Sequence, residues 1–293
     1  MYEVVDCIPC YIRQVFNTFD LVGIDDKAAQ KHIRDILFTI ASLDPLQTPA
    51  ENVTVVLHKV NELLGVKDPY RRAKLESNTL ALGMLPKLSE TVECSDDPLY
   101  MACKLAAAGN IIDMGILPDF DVNDSVREAL SSEFGGNDYD EFKKQVDSSR
   151  RILIIGDNSG EIAFDLLLVE QLRRLGNKII YAVKGEPIIN DATMEDALQV
   201  GMQEVAELIT NGNNSVGTNL KRCSQEFCQA MTEADVIISK GQANYESLES
   251  TIEAGEKTFF LLRAKCPAAA QKLGVELNSM VLRWNGSISK KKY

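Results

Sequence analysis

From Arg151 onward, short aliphatic runs alternate with segments of helical periodicity, and this alternation restricts the fold more than any other feature of the chain. Candidate strands lie near 151–155, 178–183, 205–209, 235–239, 257–262 and 280–283, with candidate helices near 160–175, 192–201, 219–233, 245–254 and 267–273. Strands separated by helices form mostly parallel sheets with right-handed crossovers. Residues 148–293 are therefore predicted to form an α/β domain with helices on both faces of a mostly parallel sheet.

The first half of the chain has a different character, because it contains no convincing strand. Segments near 10–20, 26–42, 51–65, 69–90 and 98–113 show helical spacing of apolar residues. Prolines at Asp44-Pro45, Thr48-Pro49 and Asp68-Pro69 mark breaks between them. Residues 1–147 are therefore predicted to form a helical bundle or cap.

Charge and composition exclude several classes of protein. The net charge of −12 over 293 residues argues against broad binding of nucleic acid or anionic membranes, which requires clustered Lys and Arg. The N-terminus lacks the pattern of a signal peptide, and seven irregularly spaced cysteines fit a reducing, cytoplasmic location. Only two histidines are present, which weakens a histidine-based metal site or a Ser-His-Asp hydrolase.

The first motif of interest is GDNSGE, which follows the strand at 151–155. Asp157 and Asn158 offer the hard oxygen ligands that Mg²⁺ or Mn²⁺ prefer. The backbone N–H groups of Ser159 and Gly160 follow at a predicted helix start, where anions bind. The alternative is structural, with Asn158 capping the helix and Glu161 completing a capping box.

A second acidic residue is predicted to meet the first across the sheet. Asp191 follows Asp157 by 34 residues, about one strand-helix-strand unit, so adjacent parallel strands would bring both carboxylates to one edge. Two carboxylates repel unless a cation lies between them. A metal site formed by Asp157, Asn158 and Asp191 is thus predicted, although Asp191 as a plain helix cap explains its position equally well.

Two later strand ends carry lysines. Lys240, Gly241 and Asn244 follow the strand at 235–239, and Lys265 follows the strand at 257–262. A lysine in either loop is placed to neutralise a phosphate, and Gly241 permits close approach of a ligand.

Polar residues in the helical half are harder to interpret. Asn110 and Asp113 lie three apart on one predicted helix face, where they either hydrogen-bond locally or help to shape the pocket. Cys7-x-x-Cys10 suits a metal, a redox pair or two buried thiols, but one such pair cannot complete a four-ligand zinc site.

Taken together, these motifs resemble those of a known family. The ordered set is CxxC at 7–10, DPYR at 68–71, GNIID at 109–113, GDNSGEIAFD at 156–165, Asn190-Asp191, SKGQANYESL at 239–248 and RAKCP at 263–267. It resembles the metal-dependent damage-control phosphatases, once called domain of unknown function 89, in their CxxC-bearing prokaryotic branch.

The resemblance implies a helical N-terminal portion on a Rossmann-like α/β/α unit and hydrolysis of small phosphorylated metabolites, such as sugar phosphates or damaged cofactor phosphates. It implies one divalent cation (Mg²⁺, Mn²⁺, Co²⁺ or Ni²⁺) on Asp157, Asn158 and Asp191, with Lys265 on the phosphate. It also favours a pocket role for Asn110 and Asp113. Other branches carry Arg-Thr-x-Lys where this chain has Leu262-Arg263-Ala264-Lys265, so the role of Lys265 depends on the alignment.

Other functions compete with this interpretation. Within the phosphatase hypothesis, Asp157 is either a metal ligand or a nucleophile that forms an aspartyl phosphate. A Rossmann-type methyltransferase or dinucleotide enzyme is weakened by the absence of G-x-G-x-x-G in the first turn. A non-catalytic metal or nucleotide sensor would release no phosphate from any substrate.

Overall fold

A seven-stranded sheet forms the centre of the molecule. The computed structural model describes residues 1, 3–109 and 130–289. The strands are β1 (Gly136–Asn137), β2 (Arg151–Ile155), β3 (Lys178–Val183), β4 (Glu207–Thr210), β5 (Val236–Lys240), β6 (Thr258–Arg263) and β7 (Met280–Trp284). Their order across the sheet is β1-β7-β6-β5-β2-β3-β4, and only the β6–β7 pair is antiparallel. The predicted mostly parallel sheet is confirmed.

Helices occupy the described N-terminal portion and the connections between strands. The N-terminal helices are α1 (Cys7–Val22), α2 (Asp26–Ala41), α3 (Pro49–Leu64), α4 (Arg71–Glu93), α5 (Pro98–Ala108) and α6 (Tyr139–Ser148). The later ones are α7 (Glu161–Arg174), α8 (Met194–Gln199), α9 (Gln225–Glu233), α10 (Gln242–Leu248), α11 (Pro267–Leu273) and α12 (Asn285–Ser289). Among the helices described, none combines the length and apolarity needed to cross a membrane.

Alternate residues of the central strands pack into two separate cores. Ile152 and Ile154 of β2 face a core shared with α4, α5, α6 and α7, whereas Leu153 and Ile155 face a core shared with α9, α10 and α11. This alternation follows from the two-residue period of a strand, and burial of both faces explains why β2 is almost wholly aliphatic. Helices therefore cover both faces, as the sequence predicted.

The N-terminal portion contributes to both the sheet and a separate core. Gly136–Asn137 pairs with β7, so the expectation of no strand before residue 148 is wrong for this short segment. Its two residues carry no aliphatic run, which is why periodicity does not reveal it. Helices α1 to α3 form their own apolar cluster, which includes Val15, Ile36 and Val56. The boundary near residue 147 stays a prediction.

The strand order creates a crevice beside β2. From β2 the chain continues to β3 and β4 on one side, and then returns to place β5 on the other side. Such a reversal separates the loops that follow the two central strands, and ligands of open α/β sheets bind there. Asp157 follows β2 and Gly241 follows β5 at this point.

Candidate metal centre and adjoining cavity

The turn after β2 is held against the loop after β3 by backbone hydrogen bonds. Ala192 N donates to Asp157 O at 2.8 Å, and Ser159 N donates to Asn190 O at 2.9 Å. Asn158 and Asp191 thus lie opposite each other in a short antiparallel bridge. The pairing brings together all three predicted metal ligands, and each of their side chains is buried.

The oxygen atoms of these three residues suit a divalent cation. Asn158 Nδ2 donates to Asp157 Oδ2 at 3.1 Å, so the amide oxygen is the atom of Asn158 suited to a metal. Asp191 Oδ2 is buried and accepts no hydrogen bond. The Lys184 ammonium lies 3.3 Å from this oxygen and compensates its charge, and the remaining lone pairs of the carboxylate are open to a further cation. Two carboxylates and one amide therefore fit a hard metal ion, although no three Asp, Glu, His or Cys side chains converge within the described residues.

Lys184 is a cation beside Asp191 that the sequence interpretation missed. It follows β3 directly, its Nζ donates to Gly217 O, and this atom lies 3.3 Å from Asp191 Oδ2 without the direction of a hydrogen bond. Burial raises the pKa of Asp191, Lys184 opposes that rise, and neighbouring Asp157 adds to it. The Lys-Gly pair at 184–185, repeated at 240–241, was the signal that could have identified Lys184.

Gly241 allows the β5 loop to pass directly over the Asp157 carboxylate. Its φ is 77°, and a Cβ at this position would overlap the Asp157 carboxylate oxygens. Only glycine combines this backbone conformation with so close an approach. The close approach predicted at Gly241 is real, but it serves a side chain of the protein itself.

The backbone amides at the start of α7 have protein acceptors. Ser159 N and Ser159 Oγ both donate to Asn190 O, each at 2.9 Å, and Gly160 N donates to Asn78 Oδ1 at 2.6 Å. Each amide has a single hydrogen, and both hydrogens are donated to acceptors of the protein. The sequence analysis had instead predicted that these two amides bind a phosphate. The alternative capping box is absent too, because Gly160 is the N-cap and no side chain caps the helix.

Lys240 also has partners other than the predicted phosphate. Its side chain is fully buried, and its Nζ donates to Glu161 Oε1 and Asp165 Oδ1, both at 2.5 Å, and to Ala106 O at 3.1 Å. Burial acts to lower the pKa of Lys240, but the two carboxylates raise it, so the ammonium is retained. Lys240 thus joins the sheet to α5 and α7 beneath the site.

Asn244 ties three loops together and does not reach into the cavity. Its Nδ2 donates to Gly156 O at 3.1 Å and to Lys240 O at 2.8 Å, while its Oδ1 accepts from Thr218 Oγ1 at 2.7 Å. The side chain is completely buried. Asn244 therefore fixes the loops after β2, β4 and β5 relative to one another, a positioning role instead of the predicted substrate contact.

A cavity of about 280 Å³ adjoins the three acidic and amide side chains. Lys265, predicted to contact phosphate, lines it together with Asp157, Asn158 and Asp191. The remaining wall comes from α1, α3, the residues around Ile189, α10 and the start of α11, and it includes Cys7, Cys10, Gln242, Glu246 and Cys266. Ile189 has a φ of 38°, a strained value for a β-branched residue. Such strain is often found at ligand sites.

Three further residues bear on the pocket: Asn110 and Asp113, which the sequence analysis assigned to it, and Glu246, which it did not. Asn110 and Asp113 lie outside the described residues. Glu246 was part of the SKGQANYESL motif but received no role, because its position in the cavity depends on the orientation of α10.

Comparison with known proteins gives consistent matches along most of the chain. Residues 4–281 match the family model described as damage-control phosphatase ARMT1-like domain. A damage-control phosphatase of Archaeoglobus fulgidus is 34% identical over 285 residues, covering 94% of this chain and 97% of that protein. A damage-control phosphatase of Pyrococcus horikoshii is 36% identical over 240 residues, covering 81% and 82%. The crystal structure of a DUF89 family protein from Pyrococcus horikoshii matches with a TM-score of 0.87 and 31% identity, covering 97% of this chain and 99% of that one.

Proposed function

The chain belongs to the damage-control phosphatase family, and from that membership we propose how its own residues carry out metal-dependent hydrolysis of small phosphorylated metabolites. The observation that supports the proposal most directly is the convergence of Asp157, Asn158 and Asp191 where the loops after β2 and β3 pair, beside the point at which the strand order reverses. Neither a methyltransferase nor a non-catalytic sensor finds support in the similar proteins.

In this proposal Asp157, Asn158 and Asp191 hold one divalent cation. The pairing of Asn158 with Asp191 beside Asp157 and the oxygen-only set of buried side chains support it. A bound cation of this kind polarises a phosphoryl oxygen and supplies a nucleophilic water near neutral pH. Lys184 keeps the charge of Asp191 partly compensated, and Gly241 leaves room for the carboxylate of Asp157.

Lys265 is proposed to hold the transferred phosphoryl group. It lines the same cavity as the three proposed ligands and lies two residues after β6. Phosphoryl transfer requires mainly positioning and neutralisation of charge, which a lysine in this cavity would provide. The Ser159 and Gly160 amides and Lys240 take no part, because they hold the loops in place.

The size of the cavity indicates the size of the substrate, and the ligand atoms indicate which metals can bind. A volume of about 280 Å³ lies at the lower end of ligand sites, which favours sugar phosphates and similar small esters. Oxygen ligands accept Mg²⁺, Mn²⁺, Co²⁺ or Ni²⁺. A cytoplasmic location is part of the proposal, supported by the seven cysteines, all of which are free thiols.

The proposal is tested by phosphate release from a panel of sugar phosphates, nucleotides and cofactor phosphates with each of these metals. Metal binding by calorimetry separates a ligand from a nucleophile at Asp157. We expect Asp157→Asn and Asp191→Asn to weaken metal binding by at least about tenfold and to abolish turnover.

The matched control is Glu195→Gln, an exposed acid four residues beyond Asp191 that pairs with Arg71. It should leave metal binding and turnover unchanged. Full metal binding by Asp157→Asn without turnover would instead identify Asp157 as the nucleophile.

A further inference from the structure

Glu246 is a carboxylate inside the cavity that the proposed hydrolysis does not use. It lies on α10, is only 7% exposed, and lines the same cavity as Asp157, Asp191 and Lys265. Carboxylates are rarely buried to this extent unless they are paired. The partners of Glu246 therefore show whether it has a structural role.

Its contacts within the protein are few. Gln242 Nε2 donates to Glu246 Oε1 at 2.7 Å, and among the described residues no other group hydrogen-bonds to this carboxylate. A neutral amide satisfies one of about four lone-pair positions. Burial accordingly raises the pKa of Glu246 to about 7, against the smaller opposing effects of Gln242 and nearby cations.

Glu249 provides a comparison at the end of the same helix. It is also buried, but its Oε1 pairs with Lys272 and lies 3.2 Å from the Met1 amino group. Burial acts to raise the pKa of Glu249, yet Lys272 and the amino group outweigh it and lower the pKa. The nearby cations thus pair with Glu249, which lies outside the cavity. They do not pair with Glu246, which lines the cavity.

We infer that Glu246 accepts a hydrogen bond from a hydroxyl or ammonium group on the alcohol portion of the substrate and so determines specificity. The inference rests on the proposed function, which places the phosphate among Asp157, Asp191 and Lys265 in this cavity. The alcohol portion of a small ester held there lies in the same cavity, whose α10 wall carries Glu246, and among the described residues only Oε1 of this carboxylate accepts a hydrogen bond. A buried polar group built to bind a donor strongly disfavours a ligand without one.

The test compares esters of similar size that differ in the donor. The probes are propyl phosphate, which has no donor, glycerol 3-phosphate, which has hydroxyls, and 3-aminopropyl phosphate, which has an ammonium. We expect wild type to prefer at least one donor-bearing ester by about tenfold in kcat/KM, and Glu246→Leu to reduce that preference to near unity while propyl phosphate turnover changes little. Glu246→Gln separates the two donors, because its amide oxygen still accepts from a hydroxyl but no longer attracts an ammonium.

Glu249→Gln is the matched control, since it removes a buried carboxylate from the same region but outside the cavity. It should lower stability and leave the preference among the three esters unchanged. An unaltered preference in Glu246→Leu, or equal use of all three esters by wild type, would overturn the inference. If wild type released no phosphate from any substrate with any metal, the proposed function would fail instead. Calorimetric binding of glycerol 3-phosphate and propyl phosphate to wild type and Glu246→Leu would then still decide the role of Glu246.

Discussion

At Gly241 the backbone φ is 77°, and the position where a Cβ would stand is occupied by the Asp157 carboxylate. Gly201 provides the contrast, because its φ is 80° but no atom lies within 4 Å of its added Cβ. At the residue scale, a comparison of these two glycines distinguishes the effect of backbone strain from the effect of displacing Asp157, the proposed metal ligand.

Replacement of these glycines by alanine should therefore have different consequences. Gly201→Ala is expected to lower stability by about 1 kcal/mol with activity retained, since only the backbone preference changes. Gly241→Ala is expected to reduce kcat/KM by about 100-fold or more, because Asp157 must move. Thermal unfolding and phosphate release measure the two effects. Equal loss of activity in both variants would contradict the separation.

Because the pKa of Glu246 is raised, the free energy of unfolding of the metal-free protein is expected to depend on pH. This pKa is raised from 4.5 to about 7, so the folded state holds a proton that the unfolded state has lost between these values. The stabilising contribution is therefore fully present below pH 4.5 and is lost as pH rises through 7. Glu246→Gln should match wild type at pH 4.5 and exceed it by about 3 kcal/mol above pH 8. Urea unfolding at both pH values tests this, and an equal difference at both would refute it.

The sequence predicted the acidic residues of the site better than its lysines. Asp157 and Asp191 were predictable because parallel strands one βαβ unit apart necessarily bring their ends together. Lys240 was not, because a lysine at a strand end can reach a ligand or turn back beneath the sheet, and the choice depends on the register of α7, which places Glu161 and Asp165. The Gly160 amide was equally hidden, since its acceptor Asn78 lies 82 residues away.

At the scale of elements, Asn78 of α4 contacts both the start of α7 and helix α8. Asn78 is completely buried, accepts from Gly160 N at 2.6 Å, and donates to Asp196 Oδ1 at 2.9 Å and Gln199 Oε1 at 2.8 Å. The same two helices, α4 and α8, also share the exposed ion pair of Arg71 and Glu195. The buried contact helps to fix the turn after β2, which the backbone hydrogen bonds to the loop after β3 also hold.

Removal of each contact should show this difference. Asn78→Ala leaves the buried Gly160 amide without its acceptor and removes the donor to Asp196 Oδ1, while Thr193 and Lys74 still contact Asp196 Oδ2. It should lower the free energy of unfolding by roughly 2 kcal/mol and reduce activity. Arg71→Ala should leave both unchanged, because exposed ion pairs contribute little. Denaturant unfolding and kcat/KM provide the measurements. A larger effect of Arg71→Ala than of Asn78→Ala would contradict the argument.

At the scale of the whole molecule, α1 to α3 differ from the other helices of the N-terminal portion. Their apolar cluster is separate from the main core, whereas eight of the eleven residues of α5 are buried and most belong to that main core. Helix α1 nevertheless supplies Cys7 and Cys10 to the cavity wall. Ala50 and Leu57 of α3 also pack with Ile188 and Val216, so one wall of the site comes from helices that, within the described residues, join the main core only through small contacts.

Native-state hydrogen exchange should detect this division. Amides of α1 to α3 are expected to exchange through openings of lower free energy than those of α5, β2 and β5, because local stability follows the core to which an element belongs. Helix α5 is the control, since it belongs to the same half of the sequence but packs on the sheet. Exchange of α1 to α3 at the same free energy as the sheet would show a single cooperative unit.

The occupied amides at the start of α7 have a consequence for product inhibition. Ser159 N and Gly160 N donate to Asn190 and Asn78, so inorganic phosphate left after turnover meets no unused donor from these two groups. In the proposed site, its retention depends on the cation and on Lys265. Phosphate binding, measured by calorimetry, should accordingly strengthen with metal occupancy and be weakest in the metal-free protein. In such an enzyme, the affinity of the metal site for phosphate would set the rate of product release.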